Sequence, residues 1–302
     1  MDKIKNILNY LSEKNHFSFY LSIFRVFLGI HIIKKVYLIW GSQSILLSNG
    51  TLFEHRDIIT DYLGFSSQTI LENSSTFLML IVLTCILMMF GIGKRITIFV
   101  LYFLIKILQD LTYPILNGGD NLMIFVILYL AFANSFEHLT LFKSKEKKSK
   151  DFSNFLSNLA VYSICIHLGY VYFISAIHKI HADVWFNGTA LYYILNIERF
   201  SSPISGLIKS NGFITTVGTY FTLLFELLFI FLVWDKRFTK LFLISGIFLH
   251  LGIYFFMMIY DFEIFFISLY GFFLPNSLFE KISEKINTLK HAPIFKKLKL
   301  TA

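Results

Sequence analysis

The chain has 302 residues, of which 56% are hydrophobic and only 15% are charged, and it contains 36 phenylalanines. Soluble proteins carry about 25% charged residues, so this composition excludes an ordinary soluble fold, and its hydrophobicity excludes intrinsic disorder. Two cysteines are too few for a disulfide-stapled secreted module. A net charge of +8 would suit nucleic-acid binding, but basic cytoplasmic loops explain it in a membrane protein. We therefore expect no nucleic-acid partner.

Apolar segments long enough to cross a hydrocarbon core of about 30 Å recur eight times along the chain. The predicted spans are 18–40, 76–92, 95–113, 121–138, 156–179, 213–234, 238–259 and 262–276. No alternation typical of β-barrel strands occurs, so the expected fold class is all-α, a polytopic helical bundle in the lipid bilayer of the cell membrane. The expected organisation is an N-terminal segment 1–17, a transmembrane domain 18–276 and a basic tail 277–302.

The lysines and arginines alternate between the two sides of these spans. The segments predicted to be cytoplasmic hold 19 of the 27 basic residues, whereas the segments predicted to be external hold three. The external ones are Arg56, Arg199 and Lys209. Because basic residues accumulate in cytoplasmic loops, this distribution predicts that both termini are cytoplasmic and that loops 41–75 and 180–212 are external. The basic run 143–150 then has a topological role.

Ionisable side chains at membrane depth are energetically costly and therefore mark candidate sites. The candidates within the predicted spans are Arg25, His31, Lys34, Lys35, His167, His178, Lys179, Glu226 and His250. Each has a structural alternative, since a long cation can reach the interface, Glu226 can pair with a cation, and His167 can bond a tyrosine. The excess of cations over carboxylates predicts an anionic ligand or a site where negative charge develops. No histidine or cysteine spacing indicates a metal site, and we expect none.

Lys179 ends the fifth predicted span between His178 and His181, shortly before Trp185. A lysine amine that is partly desolvated beside other cations loses its proton more easily and can then act as a base. The alternative is an interfacial anchor, in which Lys179 pairs with Asp183 four residues further on and Trp185 belongs to the aromatic belt.

These residues resemble the horizontally transferred transmembrane (HTTM) domain superfamily, which includes the vitamin K-dependent gamma-carboxylases. The resemblance covers about 18–276. Its parts are Arg25 with Gly29, Asn49-Gly50-Thr51-Leu52, Asn117-Gly118-Gly119-Asp120-Asn121-Leu122, 172–189, Glu226 and His250. The most specific part is Phe173-Ile174-Ser175-Ala176-Ile177-His178-Lys179-Ile180-His181-Ala182-Asp183 with Trp185.

The resemblance implies that Lys179 is a catalytic base that deprotonates a reduced, vitamin K-like quinone, with His178 and His250 supporting it. His178 stands where the carboxylases have a further lysine, and Val184 is inserted before the tryptophan. The residues expected to bind the cofactor are Arg25, His31, Lys35, Trp185 and Glu226.

In size the chain is similar to bacterial members of the sporulation-delaying protein B type, which act in maturing a secreted peptide toxin. A small secreted peptide is accordingly the expected substrate or partner of an enzyme near the outer membrane face. Two other interpretations remain open: a non-catalytic maturation or export partner of such a peptide, and a transporter of a small anion.

Overall fold

The computed structural model describes residues 2–47, 62, 64, 66–142 and 151–290. These residues form helices and connecting turns without a β-strand, which confirms the all-α prediction for this part of the chain. The ten longest helices are α1 (Asp2–Glu13), α2 (Ser18–Gly41), α3 (Ser74–Met89), α4 (Arg95–Leu111), α5 (Gly118–Phe132), α6 (Asp151–Ile180), α7 (Gly212–Leu232), α8 (Lys236–Met257), α9 (Tyr260–Leu269) and α10 (Asn276–Lys290).

Shorter helices occupy the connections. They are Gln43–Leu46, Ser67–Glu72, Asp183–Phe186, Ala190–Asn196 and Gly206–Lys209, together with the 3-10 turns Tyr113–Ile115, Glu198–Phe200 and Tyr270–Phe273. The segment 180–212, expected to be a loop, thus contains short helices. The basic run 143–150 and the segment Asn49–Leu52 lie outside the described residues.

Each of the eight predicted spans coincides with one helix from α2 to α9. Within the described residues, α6, α7 and α8 are long and apolar enough to cross a membrane. The number rises to five if each of two bent pairs is one span: α1 with α2, bent by 60°, and Tyr260–Phe273 with the start of α10, bent by 104°. The shorter α3 and α5 are also apolar.

Two helices, α3 and α5, differ from their predicted spans for local reasons. The span predicted at 121–138 is α5, which begins earlier because the Asn117 side chain caps its first turn and ends earlier because the backbone becomes extended at Ala133. The span predicted at 76–92 ends at Met89, followed by Gly91 at φ +74°. A side chain at Gly91 would also collide with Thr140, so this turn requires glycine.

Helix α6 lies at the centre of the bundle, in contact with α1, α5 and α7. Helices α2 and α3 pack together on one side, and α9 contacts α2, α5, α6 and α8. Outside the spans, the Asp235 side chain accepts a hydrogen bond from the Arg237 backbone at 3.0 Å and caps α8. The Arg237 side chain and backbone together hold the pKa of the Asp235 carboxyl below its usual range.

Candidate functional site

Lys179, near the end of α6, forms an ion pair with Glu226 of α7. The lysine side chain is 23% exposed and the glutamate side chain 9% exposed, so both charges are largely removed from solvent. The Nζ atom of Lys179 also lies 4.7 Å from the ring centroid of Trp185, at cation–π distance. The expectation that Glu226 pairs with a membrane-depth cation is confirmed, and Asp183 is not the partner of Lys179.

A chain of buried hydrogen bonds lies close to this pair. The Tyr172 hydroxyl is 2.5 Å from Nε2 of His250 and 2.6 Å from the Tyr270 hydroxyl. The other ring nitrogen of His250, Nδ1, contacts a carboxylate oxygen of Glu263. All four side chains are buried. The imidazole is therefore held at both nitrogens by groups from two other helices.

We refer to both arrangements together as the polar cluster, consisting of Tyr172, Lys179, Glu226, His250, Glu263 and Tyr270. Lys179 interacts electrostatically with both His250 and Glu263, which connects the ion pair to the hydrogen-bonded chain. One oxygen of Glu226 and one of Glu263 are buried without a hydrogen-bond partner among the described residues. An oxygen without a partner is energetically costly in an apolar interior. Acceptance of a proton or of a ligand group would remove that cost.

Helical periodicity explains how α6 contributes to the cluster. Tyr172 and Lys179 are seven residues apart, so they lie two turns apart on the same face of the helix. The opposite wall is aromatic, with Phe225 and Phe229 of α7 and Phe266 of α9 around the Tyr172 ring. These rings keep water from the buried chain, which strengthens its electrostatic interactions.

A second polar group surrounds the end of α2. Lys35 pairs with Asp120 at the start of α5, and Lys34 pairs with Asp261 in α9 at 2.5 Å. A cavity of about 200 Å³ opens beside Lys35. We call it the Lys35 cavity; its walls are aliphatic side chains of α2 and α4, and its polar lining is Lys35, Gln109, Thr112, Asn117, Asp120 and Asp261.

A capping box positions Asp120 for this contact. The Asn117 side chain accepts hydrogen bonds from the backbone of Gly119 at 2.8 Å and of Asp120 at 3.1 Å. One Asp120 oxygen accepts in return from the Asn117 backbone at 3.0 Å, so the other oxygen is free to meet Lys35. The Asn-Gly-Gly-Asp segment singled out in the sequence is thus a helix start that directs a carboxylate toward α2.

Arg25 has a structural role and lies apart from the other predicted cofactor residues. It is fully buried, and Nη1 donates to the carbonyl oxygens of Met88 at 2.5 Å and Met89 at 2.9 Å. Nη2 donates to His138 at 3.2 Å and Leu139 at 2.7 Å. A guanidinium with both terminal nitrogens engaged by four backbone carbonyls ties α2 to the end of α3 and to the segment after α5. Lys179 is not among the groups that the Arg25 guanidinium contacts.

The predicted histidines separate into different environments. His178 is exposed and contributes nothing to the polar cluster, because it points away from the face that Lys179 and Tyr172 share. His31 is buried and stacks between Phe27 and Phe265, at centroid distances of 5.8 and 5.5 Å. It lines the small space next to Lys35. His167 bonds the Tyr129 hydroxyl at 3.1 Å, as its structural alternative predicted.

The predicted cofactor residues therefore do not form one site. Trp185 and Glu226 lie with Lys179, His31 and Lys35 lie at the Lys35 cavity, and Arg25 lies in its carbonyl clamp. They were grouped because they lie in or beside predicted spans or belong to the resemblance, and neither criterion reports which other helix a residue faces.

Three of the predicted cations, Lys34, Lys35 and Lys179, are paired with carboxylates. Asp120, Asp261 and Glu263 lie at or near helix ends and were not counted with the membrane-depth groups, yet each contacts a cation or His250. Glu263 and Asp261 could have been recognised, since a carboxylate within or beside a predicted span is a signal in itself. Tyr172 and Tyr270 carry no such signal, because tyrosine is common in membrane helices. Among the described residues, no group of three or more histidines, cysteines or carboxylates is arranged to hold a metal ion.

Comparison with known proteins finds no match to a protein-family model, a curated protein or a solved structure. The resemblance to the HTTM superfamily consequently stays a prediction that depends on the residues quoted for it. Of those residues, Tyr172, Lys179, Trp185, Glu226 and His250 lie together in or against the polar cluster, although they come from separate parts of the chain.

Proposed function

We propose that this protein is a multi-pass cell-membrane enzyme in which Lys179, paired with Glu226, removes a proton from its substrate near the outer membrane face. The observation that carries the proposal is the largely buried Lys179–Glu226 pair near the buried His250 and Glu263. A buried ionisable group with a specific partner in an apolar segment marks a candidate site of proton chemistry.

The proposed topology has eight spans with both termini in the cytoplasm. It is supported by the coincidence of a helix with each predicted span and by the alternation of basic residues. Single cysteines at Ser66 and Ser210 should react with a membrane-impermeant maleimide from outside intact cells, and one at Ser149 should not. Cys85 and Cys165 are buried and give little background. External labelling at Ser149 would contradict this topology.

The pair can generate a neutral amine without a strong base. Two opposite charges removed from water bear a large desolvation cost, which narrows the free-energy difference between the ion pair and the neutral pair. Transfer of one proton from the Lys179 ammonium to the Glu226 carboxylate leaves an amine lone pair and a carboxylic acid. That amine accepts a proton from the substrate, and the resulting ammonium stabilises the substrate anion. Glu226 then returns its proton through the cluster or to solvent.

His250 and Glu263 act as positioning groups in this scheme. The Glu263 carboxylate fixes the imidazole tautomer through Nδ1, so Nε2 accepts from Tyr172. This arrangement places polar groups that can gain or lose a proton next to Lys179. The surrounding aromatic side chains exclude water from them. His178 has no part in it.

The quinol that the resemblance implies does not fit beside Lys179 as well as beside Lys35. A ring-sized ligand needs an apolar cavity with a polar edge, and the Lys35 cavity has both. None of the residues that line this cavity belongs to the polar cluster around Lys179. The proposed proton transfer therefore involves no quinol. The polar edge of a lipid-soluble ring in the Lys35 cavity would face Lys35, Asp120 and Asn117, with His31 adjacent.

The nature of the substrate rests on the resemblance alone, which favours a small secreted peptide. The same resemblance supports the second candidate function, a non-catalytic maturation or export partner. The two are distinguished by Lys179, since a partner protein needs no base.

The experiment compares cells that express the wild type, Lys179→Arg, Lys179→Ala and Glu226→Gln at equal membrane abundance. Mass spectrometry of membrane lipids and secreted peptides should reveal a product that requires the wild-type protein. Both Lys179 variants should lose it, because a guanidinium stays protonated and alanine has no amine. His178→Ala, the matched control from the same helix end, should retain the product. Retention of full activity by both Lys179 variants would rule out the enzyme.

A further inference from the structure

Helix α1 carries an apolar stripe that the rest of the described chain leaves uncovered. Ile4 is 66% exposed, Ile7 59% and Leu8 47%. These residues and Leu11 are spaced by three and four positions, so they form one continuous face along the helix. Large apolar side chains that repeat on one face of a short helix mark a surface that contacts another apolar phase.

The charges of α1 are distributed around this stripe in a specific way. At about 100° per residue, Lys3 and Lys5 lie roughly a quarter turn to either side of the stripe centre. Asp2 and Glu13 lie on the opposite face, together with Asn6 and Asn9. Cations beside the apolar face and acids farthest from it match a helix at a lipid surface, where lysines reach up to the headgroups and acids remain in water.

Contacts with α6 fix where α1 lies. The Asn158 side chain donates to the carbonyl oxygens of Leu11 at 2.7 Å and Lys14 at 2.8 Å. The Asn154 side chain donates to the carbonyl oxygen of Ser12 at 3.1 Å. These side-chain amides provide hydrogen-bond donors for the backbone carbonyl groups at the end of α1. They hold that end at the level where α2 and α6 begin. The bend of 60° between α1 and α2 turns α1 away from the direction of the span.

We propose that α1 lies in the plane of the membrane, with Ile4, Ile7 and Leu8 inserted at the boundary between headgroups and acyl chains of an anionic leaflet. A bend of 60° from an upright α2 leaves α1 about 30° from the membrane plane, and a tilt of α2 by about 20° in the same direction reduces this angle to about 10°. The partner is the lipid surface itself, with Lys3 and Lys5 on its phosphates. The inference requires that α2 spans the membrane, and it is independent of the Lys179 chemistry.

The test uses the full-length protein in vesicles of phosphatidylcholine with and without phosphatidylglycerol. A bimane fluorophore is attached to a single cysteine at Ile7 or, as the matched control, at Asn6 on the opposite face. Lipids brominated in the acyl chain should quench the label at residue 7 and leave the label at residue 6 unquenched. Phosphatidylglycerol should increase quenching at residue 7.

The lysine contribution is tested with K3Q/K5Q in the Ile7→Cys background. Each lysine near an anionic surface shifts binding about fivefold, so the double variant should lose the increase that phosphatidylglycerol causes. Equal quenching at residues 6 and 7 would overturn the proposal. A disulfide-linked dimer formed through residue 7, with no lipid quenching, would also overturn it and identify a second copy of the chain as the occupant.

Discussion

The Tyr172 hydroxyl of α6 meets Nε2 of His250 in α8 at 2.5 Å, and Nδ1 of the same imidazole meets Glu263 in α9. One buried ring thereby joins α6 to α8 and α9, which follow each other in the sequence but lie far from α6. The Tyr172 hydroxyl also lies 2.6 Å from the Tyr270 hydroxyl. Removal of Tyr172, His250 or Glu263 would therefore leave a buried polar group unpaired.

Tyr172→Phe tests that dependence. The substitution keeps the ring but leaves Nε2 of His250 and the Tyr270 hydroxyl without their partner, which should destabilise the protein by about 1–3 kcal/mol. Thermal unfolding in detergent measures the loss. Tyr170→Phe is the control, because Tyr170 lies on the same helix and is 54% exposed. Equal melting temperatures for the two variants would argue against a stabilising chain.

The Lys179–Glu226 pair should show strong energetic coupling. Lys179→Met leaves the Glu226 carboxylate buried and unpaired, at a cost of roughly 3 kcal/mol, the low end for a buried pair because the lysine is 23% exposed. Adding Glu226→Met removes that charge, so the double variant should be more stable than the single lysine variant. A double-mutant cycle of unfolding free energies should give a coupling of about 1–3 kcal/mol. Additive effects would mean that the two charges do not interact.

Gly246 in α8 makes room for Tyr270. A Cβ at this position would collide with the Tyr270 hydroxyl and lie 2.8 Å from the Phe225 ring, so Gly246→Ala should displace Tyr270 and cost about 1–3 kcal/mol. Gly252→Ala is the matched control on the same helix, since nothing lies within 4 Å of its added Cβ. We expect Gly252→Ala to melt at or above the wild-type temperature. A Gly246→Ala protein of undiminished stability would contradict the packing at Tyr270.

Arg25 should not tolerate lysine. A single ammonium cannot serve four carbonyl oxygens arranged for a planar guanidinium, so Arg25→Lys should lower the unfolding free energy by at least about 2 kcal/mol. Arg237→Lys provides the comparison, because the Arg237 side chain is 81% exposed. Membrane abundance and melting temperature report the difference. An Arg25→Lys protein with an unchanged melting temperature would exclude the clamp.

Filling the Lys35 cavity tests whether it holds a lipid-soluble molecule. Val36 is buried in its wall, and Val36→Phe should occupy part of the 200 Å³. If a small amphipathic ligand binds there, the amount extracted from the purified protein and measured by mass spectrometry should fall by about tenfold, as expected for a clash worth 1.4 kcal/mol. Val100→Phe, on the exposed face of α4, should leave that amount unchanged. If no such molecule can be extracted from the wild-type protein, the assignment of a ligand to the Lys35 cavity is wrong.

Much of the candidate site was predictable one helix at a time. Lys179, Glu226 and His250 were singled out because an ionisable group in an apolar segment is costly, and this argument requires no knowledge of neighbours. The role of Arg25 was not predictable in the same way. Its partners are backbone carbonyl oxygens of Met88 and Leu139, and any residue type can provide a carbonyl, so the sequence carries no mark of them.

The composition and the spacing of apolar residues by themselves determined that this is an all-helical chain with segments suited to a membrane, because burial in lipid demands long apolar runs with internally satisfied backbones. Only the tertiary structure decided which charges meet. Helical periodicity states which face Lys35 or Lys179 occupies, whereas the partners Asp120 and Glu226 come from helices far along the chain. Packing brings these faces together, and the cost of leaving a charge unpaired in an apolar interior selects the carboxylate that each lysine contacts.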